Sequence, residues 1–366
     1  MVTKAFWGNK RVLITGHTGF KGSWLSLWLQ LLGADVIGYS LAPPTALALY
    51  ELSRVGDDMI SIEGDVRDFR HLKEVIETYQ PDLIIHMAAQ ALVRRAYQDP
   101  VETFSTNIMG AVHLMEAVRQ AGGVRVIINV TSDKCYENKD WGRRYRETDA
   151  MGGFDPYSSS KGCAELITSC YRNSFFRPRL PDENGVALAS VRAGNAIGGG
   201  DWAEDRLIPD IMRALLEERV VRIRYPHAIR PWQHVLEPLN GYLMLAERLY
   251  QQGAGYTDAW NFGPNGHVAR TVSWIIEYII RLWGQDACWK VDDINQPHEA
   301  HSLDLDSSKA RMRLGWTSQL DIKEALEWTV AWYKAYQQDP SSMSEITKSQ
   351  INDYDRLIRK TLKPCT

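Results

Sequence analysis

The sequence predicts an α/β fold: a doubly wound parallel sheet followed by a smaller, less regular C-terminal domain. Two observations carry this reading. In the first half, short Val/Ile/Leu-rich runs alternate with longer helical patterns that stop at glycine or proline, the arrangement of strands joined by helical crossovers. The first of these runs also feeds Gly16-His17-Thr18-Gly19-Phe20-Lys21-Gly22, a glycine-rich turn placed between a strand and a helix.

The elements follow in order. Residues 11–15 read as a buried strand, and 20–32 as an apolar helix with Gly33 just past its end. Residues 35–39 and 59–63 are the second and third strands, the latter ending at Gly64-Asp65. A helix over 69–79 is stopped by Gln80-Pro81. Residues 83–87 form the fourth strand, 101–121 one long helix ending at Gly122-Gly123, and 124–130 the fifth strand. Pro156 suits the first turn of a further helix, and 185–191 is the sixth strand. Right-handed crossovers put the glycine loop at the carboxyl edge of the sheet, where such folds bind ligands. In the second half, 195–205 is a Gly-rich loop, 207–218, 240–250 and 272–283 are helical, and 259–262 is a late strand. The polar tail, 341–366, is expected to dock loosely.

Bulk properties narrow the function. The 366 residues are 45% hydrophobic and 24% charged with net charge −3, ordinary for a soluble globular chain and without a footprint for nucleic acid or a membrane surface. The first ten residues contain no apolar signal region, and no run approaches the ~20 apolar residues of a membrane helix. Five cysteines, an odd count without a C-x-x-C pair, favour reduced thiols and a cytoplasmic location. Cys135 reads as a small buried hydrophobe. Most of the 13 tryptophans read as packing residues.

Three motifs carry chemistry. The glycine loop permits a tight turn and close approach of a pyrophosphate to a helix N-terminus. Where an acid usually holds the adenosine ribose the chain has Tyr39-Ser40-Leu41, with no arginine for a 2′-phosphate, so the expected cofactor is NAD with one charged contact fewer. His17 and Lys21 either add positive charge to the phosphate loop or face solvent. Tyr157 and Lys161, four residues apart, share one helical face. A phenol titrates near pH 10, and Lys161 together with the nicotinamide charge favours its phenolate. Finally, the apolar run 124–130 ends in Thr131-Ser132-Asp133-Lys134, a hydroxyl, a carboxylate and an amine at a strand end.

These motifs, with Gly64-Asp65-Val66, His86-Met87-Ala88-Ala89-Gln90, Asn107, Arg192-Ala193-Gly194-Asn195, Arg230-Pro231-Trp232-Gln233-His234-Val235 and Asn261-Phe262-Gly263, make the chain similar over nearly its whole length to the extended short-chain dehydrogenase/reductase family. Stretches 15–24, 131–136 and 193–202 most resemble the family's cytidine-diphosphate-sugar 4,6-dehydratases. The resemblance implies an NAD-binding Rossmann domain over 1–191, returning at about 236–263, and a nucleotide-sugar-binding domain from 192–235 and 264–366. It implies NAD contacts from Gly16, His17, Gly19, Phe20, Lys21, Gly22, Asp65, Val66, Ala88, Ala89, Gln90, Asn107, Tyr157 and Lys161. Substrate contacts are implied for Ser132, Asn195, Leu207, Arg230, His298 and Glu299. The stretch Pro297-His298-Glu299-Ala300-His301 is not H-E-x-x-H, so no metal is expected.

The implied catalytic group is Ser132, Asp133, Lys134, Tyr157 and Lys161. Tyr157 takes the sugar 4-hydroxyl proton while Ser132 positions the oxygen. Asp133 protonates the departing 6-hydroxyl, which requires a raised pKa. Related dTDP-glucose dehydratases carry Glu at the position of Lys134. A desolvated, neutral Lys134 serves as the C5 base; a charged one stabilises the enolate instead. A 4-epimerase on the same scaffold needs neither group, and a non-catalytic NAD-binding redox sensor does not need the Tyr-x-x-x-Lys pair. By the same resemblance, helices 101–121 and 156–171 build a homodimer or homotetramer.

Overall fold

The computed structural model describes residues 2–139, 142–176, 185–264, 270–284, 287–292 and 303–361. Seven strands form one all-parallel sheet: β1 (Arg11–Thr15), β2 (Asp35–Ser40), β3 (Ile60–Glu63), β4 (Leu83–His86), β5 (Val126–Val130), β6 (Ala187–Ala193) and β7 (Ala259–Phe262). Their spatial order is β7-β6-β5-β4-β1-β2-β3. The chain winds outward from β1 to β3, then returns to place β4 on the other side of β1. Thr15, the last residue of β1, therefore sits between Tyr39 and His86, and the glycine loop leaves the sheet at this reversal.

The strands read as unbroken apolar runs because both faces are covered. Val12 and Ile14 enter one core while Leu13 enters the other, and Leu83 and Ile85 alternate with Ile84 in the same way. The larger core joins the sheet to the second half of the chain. Trp7, Trp24, Trp28, Trp260, Trp316 and Trp332 are all fully buried, each removing about 150–250 Å² from water.

The helix expected over 101–121 is divided. Pro100–Phe104 is α-helical, Ser105–Met109 is a π turn, and the α-helix resumes over Gly110–Ala121. Strand β6 runs two residues later than the pattern suggested, because its pairing with β7 continues to Ala193 opposite Phe262. Helix Ile322–Gln338, opened by an Asp321/Glu324 capping box, had no sequence expectation. The tail also differs from its loose-docking expectation. Met343–Thr361 is a helix whose Met343, Thr347, Ile351, Tyr354 and Ile358 are buried, a three-and-four spacing that lays one face on the core. Trp28 meets Tyr354 edge-on. Two short ladders extend the second half: Val221–Ile223 with Trp289–Val291, beside helix Leu207–Leu216, and Ile229–Arg230 with Arg270–Thr271, beside helix Val272–Trp283. Among the described residues, no helix is long and apolar enough to cross a membrane.

Candidate active site

The glycine loop is built so that only glycine fits. Gly16 has φ +79°, and a Cβ there would lie 2.8 Å from the Ala88 nitrogen; one at Gly22 would lie 2.1 Å from the Gly16 oxygen. These contacts pull the first turn of helix Phe20–Leu31 against β1 and β4. At Gly19, by contrast, a Cβ would meet only the Gly16 oxygen, at 3.4 Å. Gly19 is the N-cap of that helix and brings no capping side chain, so the first-turn N–H groups face an open rim. A dinucleotide pyrophosphate fits this donor set. Where an acid would be expected after β2, Ser40 Oγ instead bonds Thr18 Oγ1 at 2.8 Å.

His17 departs from both readings offered for it. It is buried, its Nε2 is 2.8 Å from Ser61 Oγ, and its ring lies directly under Gly38. Burial pushes its pKa down to about 4, so it is a neutral wedge beneath β2 and β3 and brings no positive charge to the loop. Lys21 does face the site. Burial, then the charge of Arg206, lowers it to about 8, while Asp133 and Asp201 act the other way. Phe20 starts the helix and approaches Gly198.

Asp65 and Val66 follow β3. The Asp65 carboxylate is held by Arg67 through Nε at 2.9 and 3.0 Å, which keeps its pKa below the usual range. Val66 is buried beneath Gly110. Ala88, Ala89 and Gln90 follow β4, where Thr15 Oγ1 accepts from the Met87 and Ala88 N–H groups. Asn107 lies one row behind them. Its Oδ1 accepts from the Gln90 N–H at 2.8 Å, and its Nδ2 donates to the Gln90 carbonyl at 3.0 Å and to Ser160 Oγ at 2.8 Å. It thus ties this loop to the helix that carries Tyr157 and Lys161, from within the π turn.

That helix, Pro156–Ser174, starts with Asp155 accepting from the Ser158 N–H and proline at its first position. One turn apart, Tyr157 and Lys161 both point at the end of β5, and Lys161 Nζ donates to the Val130 carbonyl at 3.2 Å. Beyond β5, Ser132 caps a short 3₁₀ turn, Asp133–Cys135. Ser132 Oγ donates to Asp133 Oδ1 at 2.9 Å and accepts from the Lys134 N–H at 3.3 Å. Ser132 and Asp133 are buried and Lys134 is half-buried. Gly194 makes room for the carboxylate, since a Cβ there would fall 2.8 Å from Asp133 Oδ2.

The electrostatics divide these groups. Burial raises the Asp133 pKa against the opposing pull of Lys134, Ser132 and Lys21, the direction that an acid requires. Burial also pushes Tyr157 up to about 12, with a hydrogen bond to Ser132 working against it. The phenolate expected from Lys161 together with the nicotinamide charge has this desolvation to overcome. Lys161 itself is lowered to about 8 by burial and by Lys21. Cys135 is fully buried and burial raises its thiol, consistent with packing.

Of the residues expected to meet the substrate, Asn195 is half-buried and its carbonyl accepts from the Gln233 N–H. Leu207 opens helix Leu207–Leu216. Arg230 is paired in register with Arg270; His298 and Glu299 lie outside the described residues. Sequence reasoning passed over Arg206, the residue before that helix. Its Nη1 is held by buried Asp201 at 3.1 Å, and its charge acts on both Lys21 and Tyr157. The Gly200-Asp201-Trp202 stretch was a visible signal for it.

The profile of the GDP-mannose 4,6 dehydratase family matches residues 13–329. A CDP-glucose 4,6-dehydratase of Salmonella typhimurium is 54% identical, over 97% of this chain and 98% of that protein. Among solved structures, UDP-glucose 4-epimerase of Thermotoga maritima with UDP-glucose superposes with a TM-score of 0.76 at 20% identity, covering 89% of this chain and 99% of that one. A dTDP-glucose 4,6-dehydratase of Bacillus anthracis in complex with NAD gives 0.72 at 21% identity, covering 90% and 98%. At such identities these two likenesses speak for the fold.

Proposed function

The chain belongs to the GDP-mannose 4,6 dehydratase family, and on that premise we propose that it converts CDP-glucose to CDP-4-dehydro-6-deoxy-glucose and water, with NAD as its cofactor. The observation that carries this reading is the 54% identity to a CDP-glucose 4,6-dehydratase along almost the full length of both chains. The geometry supports it: an acid with a raised pKa and a lysine stand on one turn, facing a tyrosine and a lysine on one helix.

NAD, when bound, would supply the hydride chemistry: an acceptor for the C4 hydride and its donor, once reduced, to C6. The open rim at Gly19 and the uncapped helix N-terminus would hold its pyrophosphate. Tyr157 removes the proton of the 4-hydroxyl, and Ser132 fixes the 4-oxygen by hydrogen bonding. The resulting ketone acidifies C5–H. Lys134 takes the C5 proton, and Asp133, whose proton affinity burial raises, gives a proton to the 6-hydroxyl, which leaves as water. A proton then returns to C5. Burial of Ser132, Asp133, Tyr157 and Lys161 keeps bulk water from these transfers. Arg230 and Asn195 take the diphosphate, with Leu207 beside the sugar.

The same reading divides the chain into an NAD part, 1–191 with a return at 236–263, and a nucleotide-sugar part. It also gives a homo-oligomer through the helices around 101–121 and 156–171, where Val101 is 75% and Leu166 61% exposed. We place the enzyme in the cytoplasm, supplying deoxysugar for surface polysaccharide.

The deciding experiment is incubation with CDP-glucose and NAD in D₂O, followed by NMR of the sugar. A 4-keto-6-deoxy product carrying deuterium at C5 supports the proposal. CDP-galactose would assign a 4-epimerase instead, and unchanged sugar with NAD bound would reject dehydratase activity on this substrate.

A further inference from the structure

The turn that carries Ser132, Asp133 and Lys134 is tied at both ends to one buried ion pair. Glu165 and Arg192 each expose only 4% of their side chains and meet through Nη2–Oε2 at 2.7 Å and Nε–Oε1 at 2.9 Å, a bidentate fork. On the N-terminal side of the turn, Thr131 Oγ1 donates to Glu165 Oε1 at 2.5 Å. On its C-terminal side, Arg192 Nη1 donates to Tyr136 Oη at 2.6 Å, and the guanidinium lies 4.8 Å from the centre of the Tyr136 ring. Tyr136 Oη in turn donates a hydrogen bond to Asn261 Oδ1 at 2.8 Å. Ser190 Oγ also donates to Glu165 Oε2, at 2.7 Å, but Ser190 lies within β6 and has no side-chain bond to the turn.

Glu165 also follows Tyr157 and Lys161 at successive four-residue steps along one helix. The pair therefore spans the gap between the two groups of reacting side chains. A buried pair of this kind is weak evidence for added stability, because desolvation offsets its attraction. Its geometric effect is specific: it sets where the turn stands relative to the helix. We infer that Glu165 and Arg192 are positioning residues, which hold Ser132, Asp133 and Lys134 in register with Tyr157 for both oxidation and elimination. This rests on the dehydratase reading for its consequence in turnover, and on the hydrogen bonds alone for its consequence in the order of the turn.

The test uses the full chain with Thr131→Val and Tyr136→Phe, which remove the ties to the ion pair together with the bonds of the same hydroxyls to the Val191 carbonyl and to Asn261 but leave both charged side chains in place, and Ser190→Ala, which removes an equally buried hydrogen bond to Glu165. Turnover of CDP-glucose with NAD, melting temperature, and hydrogen exchange of the 131–136 peptide are measured on each. Thr131→Val and Tyr136→Phe are expected to lose roughly tenfold to a hundredfold in kcat, the scale of a small misplacement of reacting groups, with KM within about twofold. Exchange at 131–136 rises in both, and Thr131→Ser restores kcat and exchange. Ser190→Ala keeps kcat within about twofold and leaves that exchange unchanged. Equal loss of kcat in Ser190→Ala and Thr131→Val, or normal exchange at 131–136 in the two tie variants, overturns the inference. If the parent protein leaves CDP-glucose unconverted, the functional reading fails, and the exchange measurement still decides whether the pair orders the turn.

Discussion

Asp133 and Lys134 are neighbours on one 3₁₀ turn, yet their proposed tasks are opposite, one giving a proton and the other taking one. Asp133→Asn keeps the shape of the side chain but removes the acid. Loss of 6-hydroxyl departure by about 10²–10⁴-fold is expected, while oxidation at C4 and deuterium uptake at C5 persist in the NMR assay. Normal product formation by this variant would remove Asp133 from the role. Lys134→Met is expected to abolish deuterium uptake at C5 while C4 oxidation remains detectable; undiminished uptake would reassign the lysine to charge stabilisation of the enolate. The residue types at this site were readable from sequence because strand, turn and Tyr-x-x-x-Lys helix are each local patterns. The settings of the individual side chains were not. Tyr157 is governed by desolvation, and His17 turns beneath Gly38 toward Ser61, which depends on strands brought together by the fold.

At the scale of elements, the strands, the glycine loop and helix Phe69–Tyr79 were legible because period and punctuation agree along a short stretch. The π turn over Ser105–Met109 was not. Nothing in its composition breaks a helix; what holds Asn107 there is its bonding to Gln90 and Ser160, and such bulges commonly mark functional sites. The Glu165–Arg192 brace was equally invisible, since Thr131 and Arg192 reach Glu165 across 34 and 27 positions. Helix Pro156–Ser174 also presents Leu166 outward, 61% exposed, and the segment that precedes helix Gly110–Ala121 exposes Val101 and Met109. If these form the subunit contact, Leu166→Glu lowers the mass measured by light scattering after gel filtration to that of a single chain. An unchanged oligomer would move the contact elsewhere.

For the molecule as a whole, Glu237 joins pieces that are distant in sequence. Its carboxylate accepts from the Leu320 N–H at 2.7 Å, from the Gln319 N–H at 2.9 Å and from Tyr354 Oη at 2.7 Å. Burial nevertheless raises its pKa to about 7 from 4.5. The folded state thus binds the proton more tightly than the unfolded chain. The stability this contributes is full below about pH 4.5 and is lost as pH rises through about 7. The melting temperature of the parent protein should therefore fall relative to Glu237→Gln across that interval; a constant difference would show that Glu237 does not titrate there. The polar composition of the last helix concealed how firmly it is docked. Ser53 Oγ meets Thr347 Oγ1 at 3.0 Å across 294 positions, and Trp28 packs on Tyr354 nearby. On a ribosome adding ~5–20 residues per second, Thr347 is added roughly 15 to 60 s after Ser53, its partner 294 positions earlier. Throughout that interval Trp28 lacks Tyr354 and Ser53 lacks Thr347, so this seam of the larger core closes only once nearly the whole chain has been made.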